Sequence, residues 1–405
     1  MHLWMINHFA ISPSQSGGTR HYTLAHELIK KQIAVTIIAA SVNYQSGETP
    51  RRSSTSGVFQ ENINGVQFVW IPVPRHGGST IFRLISMLIF AWRVWRWARI
   101  GAIEAPDMII GSSPHPFAAF AAERLALRYK VPFVLEVRDL WPESLVSLGG
   151  YSNYHPFIML LEHLCRYLYR RARKIITLLP GAGADIAQRG AAIDKIIWLP
   201  NGVDLSSVPL PKACEVGDEF QLVYAGAHGL ANGLGTLLDA AAICKREGHD
   251  DVRFNLIGAG LEKEALIARA RAEQLDNVTF HDPVPKTEIH SFLAGADVFY
   301  MPLRDSPVFR WGVSPNKLFD YMAAARPVIF AVNTSPNPVD EADAGISIPA
   351  EDASALVQAI RTLQAMGSGN RWRMGRNGRA YVEKNHTHAQ LADKLAAMLR
   401  NLKKD

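Results

Sequence analysis

The spacing of short apolar runs constrains this chain more than any other feature of it. The runs fall at Leu3 to Asn7, Ala34 to Ala40, Phe68 to Ile71, Met108 to Gly111, Phe133 to Glu136, Lys174 to Leu178 and Ile196 to Leu199, with helix-length segments between them. Runs this short read as strands. Strands joined through helices need right-handed crossovers, which give a parallel sheet covered on both faces. After LPNGVD (Leu199 to Asp204) a polar stretch runs to Glu219. The alternation then restarts at Gln221 to Tyr224, Arg253 to Ile257, Asn277 to Phe280, Val298 to Pro302, Val328 to Ala331 and Gly345 to Ile348. A length of 405 residues exceeds what one core supports. The expectation is an α/β chain with two Rossmann-like domains, 1–202 and 203–385, facing across a cleft. The stretch 386–405 carries Leu391, Leu395, Met398, Leu399 and Leu402 at helical spacing and is expected to return to the first domain. Open sheets of this kind bind ligands outside the carboxyl ends of their strands.

Composition narrows the class. With 48% hydrophobic and 20% charged residues and no acidic block, the chain has the make-up of a globular protein and not of a disordered one. Cys165, Cys214 and Cys244 stand far apart, with no Cys or His at metal-ligand spacing, so neither a zinc site nor a disulfide framework is expected. The N-terminal MHLWMINHFAISP has no basic region ahead of a long apolar run; it reads as a buried strand and not a secretion signal, which points to the cytoplasm. The formal charge of +6 suits phosphate-rich ligands, anionic lipid or nucleic acid. Nucleic acid is disfavoured, because the basic residues accompany an apolar, aromatic helix and no nucleic-acid module is visible.

The sharpest chemical signal is SPNKLFDYMAAARPVI, Ser314 to Ile329. Ser314 can cap a helix with Pro315 in its first position, which would leave free backbone N–H groups and the positive dipole end for a diphosphate. Lys317 and Asp320, three apart, share a face: the lysine suits a phosphate, the carboxylate two vicinal ribose hydroxyls. An ordinary capped helix with a surface Lys/Asp pair would have the same sequence. Gly226, Gly229 and Gly233 punctuate the loop after the first strand of the second half, where backbone amides can approach phosphate closely, and His228 among them can donate to it. A tight turn with an incidental histidine is the alternative. Gly258 and Gly260 follow the next strand, where a glycine pair also marks a plain strand-to-helix turn. In the first half, Gly17 and Gly18 precede a helix starting near Arg20 and offer a second amide-lined loop. EVRDLWPES places Arg138, Asp139 and Glu143 just past a strand. Arg138 stays charged and cannot be a general base, so it suits substrate or phosphate binding, while Asp139 or Glu143 can orient an acceptor. A structural Arg/Asp salt bridge is the competing reading.

Together these segments resemble family-4 glycosyltransferases. The Ser314 to Ile329 block is similar to that family's PSKLFEYMAAGKPVI element. YAGAHGLANGLGTLLDAA (Tyr224 to Ala242), LIGAGLEKEAL (Leu256 to Leu266), NVTFHDPVPKTEI (Asn277 to Ile289) and ADVFYMPL (Ala296 to Leu303) look like its other elements, in the same order. GGTRHYTLAHEL (Gly17 to Leu28), EVRDLWPES and PNGVD resemble the subgroup that transfers N-acetylated amino-deoxyhexoses such as N-acetylfucosamine in O-antigen and capsule assembly. The resemblance implies a GT-B fold, a UDP-sugar co-substrate, retention of anomeric configuration, and no required metal or other cofactor. It implies a donor site of Gly17, Gly18, Gly226, His228, Gly229, Gly258, Arg304, Ser314, Asn316, Lys317, Leu318 and Asp320, with Val284 at the uracil edge, and catalytic roles for Arg138, Asp139, Glu143 and Lys317.

Departures from the family pattern matter. Many members have two glutamates where this chain has Gly312 and Asp320, so only the later carboxylate is kept. The family's Arg and Lys in the glycine loop correspond to Ala227 and Asn232, which leaves Lys317 as the retained diphosphate cation, with Arg304 to supplement it. These losses keep a non-catalytic sugar-nucleotide-binding protein, or a sugar-nucleotide epimerase on the same fold, in view as alternatives.

IFRLISMLIFAWRVWRWARIGAI, Ile81 to Ile103, interleaves Trp92, Trp95 and Trp97 with Arg93, Arg96 and Arg99. Its uncharged stretch is far short of the roughly 20 residues that span a bilayer, but tryptophan with arginine suits the headgroup boundary. CRYLYRRARK (Cys165 to Lys174) can reinforce that face. Peripheral contact with the inner leaflet, where a polyprenyl-diphosphate-linked or oligosaccharide acceptor is presented, is the expectation; a buried crossover helix with a basic end is the alternative.

Overall fold

The computed structural model describes residues 1–15, 18–42, 57–74, 80–99, 101, 103–208, 219–284 and 289–404. The chain divides into two compact units, Met1–Pro200 with His388–Asp405, and Asn201–Thr387.

In the first unit the strands are β1 (His2–Ile6), β2 (Ala34–Ala40), β3 (Phe59–Ile63), β4 (Val66–Ile71), β5 (Met108–Ser112), β6 (Phe133–Val137), β7 (Lys174–Thr177) and β8 (Ile196–Trp198). Among the described residues they form one sheet in the order β3-β4-β2-β1-β5-β6-β7-β8. All neighbours are parallel except β3 and β4. Sequence patterning misses β3 because FQENI is an edge strand with largely exposed, polar side chains. The connecting helices are α1 (Arg20–Lys30), α2 (Thr80–Ala98), α3 (Pro116–Tyr129), α4 (Glu143–Gly149), α5 (Pro156–Arg171) and α6 (Ala182–Gln188). β1 lies between β2 and β5, so the chain runs outward from it in both directions. The carboxyl ends of β1 and β5 therefore flank the topological switch point, where sheets of this kind leave a crevice.

The second unit repeats the scheme with β9 (Phe220–Ala225), β10 (Val252–Ile257), β11 (Val278–His281), β12 (Val298–Pro302), β13 (Val328–Ala331) and β14 (Gly345–Ile348), all parallel, in the order β11-β10-β9-β12-β13-β14. Its helices are α7 (Gly235–Arg246), α8 (Lys263–Ala272), α9 (Ile289–Ala294), α10 (Asn316–Ala323), α11 (Pro338–Glu341), α12 (Ala353–Ala365) and α13 (Gly367–Asn385). Here the switch point falls between β9 and β12. The last helix, α14 (His388–Lys404), belongs to the first unit. Leu391, Leu395, Leu399 and Leu402 join the core made by Leu24 and Leu28 of α1 and the strands beneath. Each such buried leucine contributes about 1.5–3 kcal/mol of transfer free energy. Asp393 pairs with Lys31 at 2.5 Å and Lys403 with Asp107 at 3.1 Å.

Candidate functional site

At the switch point of the second unit, the loop after β9 meets the start of α10. Lys317, in the first turn of α10, is half-buried; its Nζ donates to Asn232 Oδ1 at 2.6 Å and to Tyr224 Oη at 3.2 Å, and sits 4.5 Å from the Tyr224 ring centroid. The Tyr224 hydroxyl and Asn232 Nδ2 in turn both donate to Ala227 O, at 2.7 and 2.9 Å. Both hydrogen-bond partners of the ammonium are thus neutral. Burial pushes its pKa down to about 7. A charge desolvated in this way is stabilised by an anion brought beside it. Asn232, which replaces a family lysine, serves here as the acceptor that aims Lys317.

The glycines fix how close the neighbouring loops come. A Cβ on Gly258, whose φ is +144°, would lie 2.0 Å from Gly226 O. One on Gly260 would lie 2.2 Å from His228 O, so the loops after β9 and β10 touch backbone to backbone. Beneath that contact the His228 ring is fully buried, and neither ring nitrogen has a hydrogen-bond partner. Burial, with Lys263 and Lys317 nearby, lowers its pKa to about 4, so the ring is neutral at pH 7. The sequence reading offers His228 as a donor to the diphosphate; in this structure its ring lies under the contact between the two loops. Gly229 has open space around it. Val284 is half-buried after β11.

Ser314 does not cap α10. The helix begins at Asn316 with Pro315 at its cap, and Ser314 is drawn instead to the linker between the units: its Oγ accepts from Asn201 N at 2.8 Å and its carbonyl from Asn201 Nδ2 at 2.5 Å. The Leu318 side chain is fully buried in the core of the second unit, and its N–H is bonded to Pro315 O at 3.2 Å. Asn316 and Asp320 are half-buried on α10. Arg304 is exposed; its Nε donates to Glu351 at 3.4 Å, and its N–H bonds Ala231 O, tying the loops after β9 and β12 together. Gly312 has φ +93°, a backbone conformation that a glutamate there would strain.

In the first unit, Gly17 lies outside the described residues and Gly18 is half-buried ahead of α1. Arg138 is half-buried and Asp139 exposed, both just beyond β6. Glu143 opens α4, accepts from Ser147 Oγ at 3.1 Å and stands 3.9 Å from Arg189, which it shares with Asp185 and Glu162. Its carboxylate is engaged in a salt-bridge cluster.

The structure shows a polar centre in this unit that the sequence reading missed. Glu136, the penultimate residue of β6, is buried and accepts from Arg20 Nε at 2.9 Å, His21 Nε2 at 2.7 Å and Ser112 Oγ at 2.6 Å. Burial alone would raise this carboxyl; His21, Arg20 and Arg138 overcome that and hold it well below the usual range. Burial also lowers His21 against the pull of Glu136, while the Arg20 guanidinium is a permanent charge beside the carboxylate. Asn7 Nδ2 donates to Ser112 Oγ at 2.9 Å and stands against the His21 ring. Arg20 also donates to the carbonyls of Leu199 and Pro200 at the end of the unit. Beside this network His115 Nδ1 accepts from Ala118 N, which places its proton on Nε2 to donate to His8 Nδ1 at 2.8 Å. The signal for Glu136 was an acid inside an apolar strand, a position that demands a buried partner. Among the described residues, no group of three or more His, Cys, Asp and Glu is arranged to hold a metal ion, and no helix is long and apolar enough to cross a membrane.

Two sheets, parallel except for the β3–β4 pair and each with polar side chains gathered at its switch point, define an α/β protein of the GT-B type, and solved structures of that fold cover nearly the whole chain. Anabaena HepE in complex with UDP is 14% identical, with a TM-score of 0.69 and 99% of each chain covered. WaaG, a glycosyltransferase involved in lipopolysaccharide biosynthesis, is 15% identical, with a TM-score of 0.69, covering 98% of this chain and 99% of its own. Residues 17–202 match the glycosyl transferase 4-like domain and 219–366 match the glycosyl transferases group 1, so the chain belongs to the glycosyltransferases. Among curated proteins it is similar to the "Probable glycosyltransferase WbjE" of Pseudomonas aeruginosa, 23% identical over 332 residues, which are 79% of this chain and 80% of that one.

Proposed function

We propose that this glycosyltransferase moves an N-acetylated hexosamine or amino-deoxyhexose from a UDP-sugar, with retention, to a polyprenyl-diphosphate-linked or oligosaccharide acceptor in cell-envelope polysaccharide synthesis. We place it in the cytoplasm, peripheral on the inner face of the cytoplasmic membrane. The observation that carries the donor assignment is Lys317, a half-buried ammonium held by neutral partners at a ligand-binding switch point. The UDP bound by HepE and the lipopolysaccharide role of WaaG support the donor and the pathway class.

In the proposed reaction the acceptor hydroxyl attacks the anomeric carbon on the face the diphosphate leaves. The bond from that carbon to the diphosphate oxygen breaks, and the departing oxygen takes the acceptor's proton. Lys317 and the amides of the glycine loops stabilise the charge that develops on the diphosphate, and no metal is required. Asp320 accepts from the ribose hydroxyls, Val284 meets the uracil edge, and Arg304 supplements the cationic field. Arg138 binds acceptor or phosphate, and Asp139 or Glu143 orients the acceptor. Nucleotide release from UDP-, GDP- and ADP-sugars, each with and without bacterial polyprenyl-lipid extract, tests this. Release from one UDP-N-acetyl sugar that depends on the extract is expected. UDP binding without release from any donor would favour a non-catalytic binder.

A further inference from the structure

Lys317 reaches its partners only if α10 starts in one place. The far end of this eight-residue helix backs onto α13: Arg379 Nη1 donates to Ala323 O at 2.9 Å, and a Cβ on Gly375 would lie 2.1 Å from Ala325 O. Its middle is pinned to the end of β9, where the Tyr321 hydroxyl accepts from Ala225 N at 2.7 Å and donates to Ala225 O at 2.9 Å. Both contacts lie beyond the first turn, which carries Lys317.

The first turn is held by two buried polar residues from the two ends of the second unit. Asn201, the unit's first residue, is 4% exposed. Its backbone N–H donates to Ser314 Oγ at 2.8 Å and its Nδ2 to Ser314 O at 2.5 Å, three residues ahead of Lys317. His386, the last residue of the unit but one, is 1% exposed. Its ring stacks on Phe319 of α10, with centroids 4.1 Å apart and planes at 22°, and its Nδ1 donates to Asn201 O at 3.3 Å. The two backbone segments run side by side there, with Val203 N bonded to His386 O at 2.9 Å and Val203 paired with Thr387. A buried amide and a buried imidazole cost desolvation that an apolar pair would not. What they supply is direction, since hydrogen bonds fix the segment leading into α10 where apolar packing alone would let it slide.

We propose that Asn201 and His386 are positioning residues for Lys317: by clamping Ser314 before it and Phe319 after it, they set the place from which its ammonium reaches Asn232 and Tyr224. The 2.6 Å bond to Asn232 tolerates a displacement of about half an ångström. A larger shift of the first turn would take Nζ from its neutral partners into water. The inference deepens the proposed donor site and rests on it only for its consequence, a diphosphate site formed before the nucleotide arrives; the positioning itself is read without nucleotide.

The test is the titration of Lys317 in the nucleotide-free full chain, followed by NMR of lysine labelled with 13C at Cε and assigned with Lys317→Met. The wild-type midpoint should lie at about 7, where burial places it. Of its titratable neighbours, burial raises Tyr224 and Tyr321 and lowers His228 to about 4; Asp320 lies on α10 itself, and Lys263, whose charge also reaches His228, donates to Asp282 at 3.0 Å. Asn201→Ala/Ser314→Ala, which removes both side-chain contributions to the clamp, should raise the midpoint by at least about one pH unit toward that of an ordinary lysine. His386→Ala should raise it too, and His386→Phe, which keeps a ring against Phe319, should raise it less. Ser314→Thr, which keeps the hydroxyl, should leave it within about 0.3 of wild type. If the double variant does not fold, Asn201→Ala and Ser314→Ala, each lacking one bond, should give intermediate rises. A wild-type midpoint near that of an ordinary lysine would overturn the inference. So would an unmoved midpoint in folded Asn201→Ala and Ser314→Ala variants that unfold at lower urea, because the contacts would then be merely structural. A raised midpoint in these variants, together with UDP affinity that Lys317→Met leaves unchanged, would sink the donor reading and leave the positioning standing.

Discussion

If Lys317 is the diphosphate cation, UDP affinity should fall as pH rises from 7 to 9. Its pKa in the free protein is about 7, lowered by burial, so the ammonium is present in about half the molecules at pH 7 and about one in a hundred at pH 9. Binding that needs the charged form is weakened by that fraction, about 50-fold over the interval or about 2.3 kcal/mol. The size fits the roughly 1.5–3 kcal/mol of a hydrogen bond to a charged group. Nothing else known to titrate beside it moves in this window: His228 is already neutral, its pKa being about 4, and burial pushes Tyr224 and Tyr321 upward. The second ionisation of the nucleotide, near 6, is largely complete by pH 7. Titration calorimetry in two buffers of different ionisation enthalpy should also show uptake of about half a proton per UDP at pH 7. Lys317→Met should bind about 10- to 100-fold more weakly at pH 7 and show no slope. An affinity flat from pH 7 to 9 in wild type, or the same slope in Lys317→Met, would refute the reasoning.

Asn232→Asp puts a carboxylate where the amide oxygen now lies 2.6 Å from Nζ; it should keep Lys317 charged to higher pH, flatten the same profile and lower UDP affinity at pH 7 in calorimetry. Glu136→Gln leaves Arg20 buried without its counter-charge and should cost about 3–5 kcal/mol in urea unfolding at pH 7. Because the Glu136 carboxyl is held low in the folded state, that advantage is present above the ordinary carboxylate pKa and should shrink as pH falls below about 4. Gly258→Ala should displace the loop after β9, since its Cβ would meet Gly226 O, and should weaken UDP binding in calorimetry more than Gly229→Ala, which has open space.

The strands were legible because their signal is local. Ala34–Ala40, Val298–Pro302, Val328–Ala331 and Gly345–Ile348 begin and end where their apolar runs do, and the other expected strands differ by one or two residues at one or both ends. β3 escaped because an edge strand exposed to water need not be apolar. The candidate site was legible only where chemistry sits on one short segment. Lys317 was found from its own helix, but Asn232, 85 positions away, was visible only as a lost lysine and not as the partner that aims the retained one. Glu136 was passed over for the more exposed residues after it, because its partners Arg20 and His21 lie 116 and 115 residues earlier. Ser314 went the other way: serine before proline is a good cap by local rule, and a contact 113 residues distant overrode that rule.

The return of α14 to the first unit sets the order in which this protein is completed on the ribosome. Synthesis runs at about 5–20 residues per second and domains fold as they emerge. The sheet of the first unit is made early, yet the face formed by Leu24 and Leu28 waits for Leu391, Leu395 and Leu399. The second unit, uninterrupted from Asn201 to Thr387, is delivered whole in the meantime. A chain stopped after Thr387 would therefore carry a finished second unit joined to a first unit with an open apolar face. Until α14 is made, that face is apolar surface through which a nascent chain can associate.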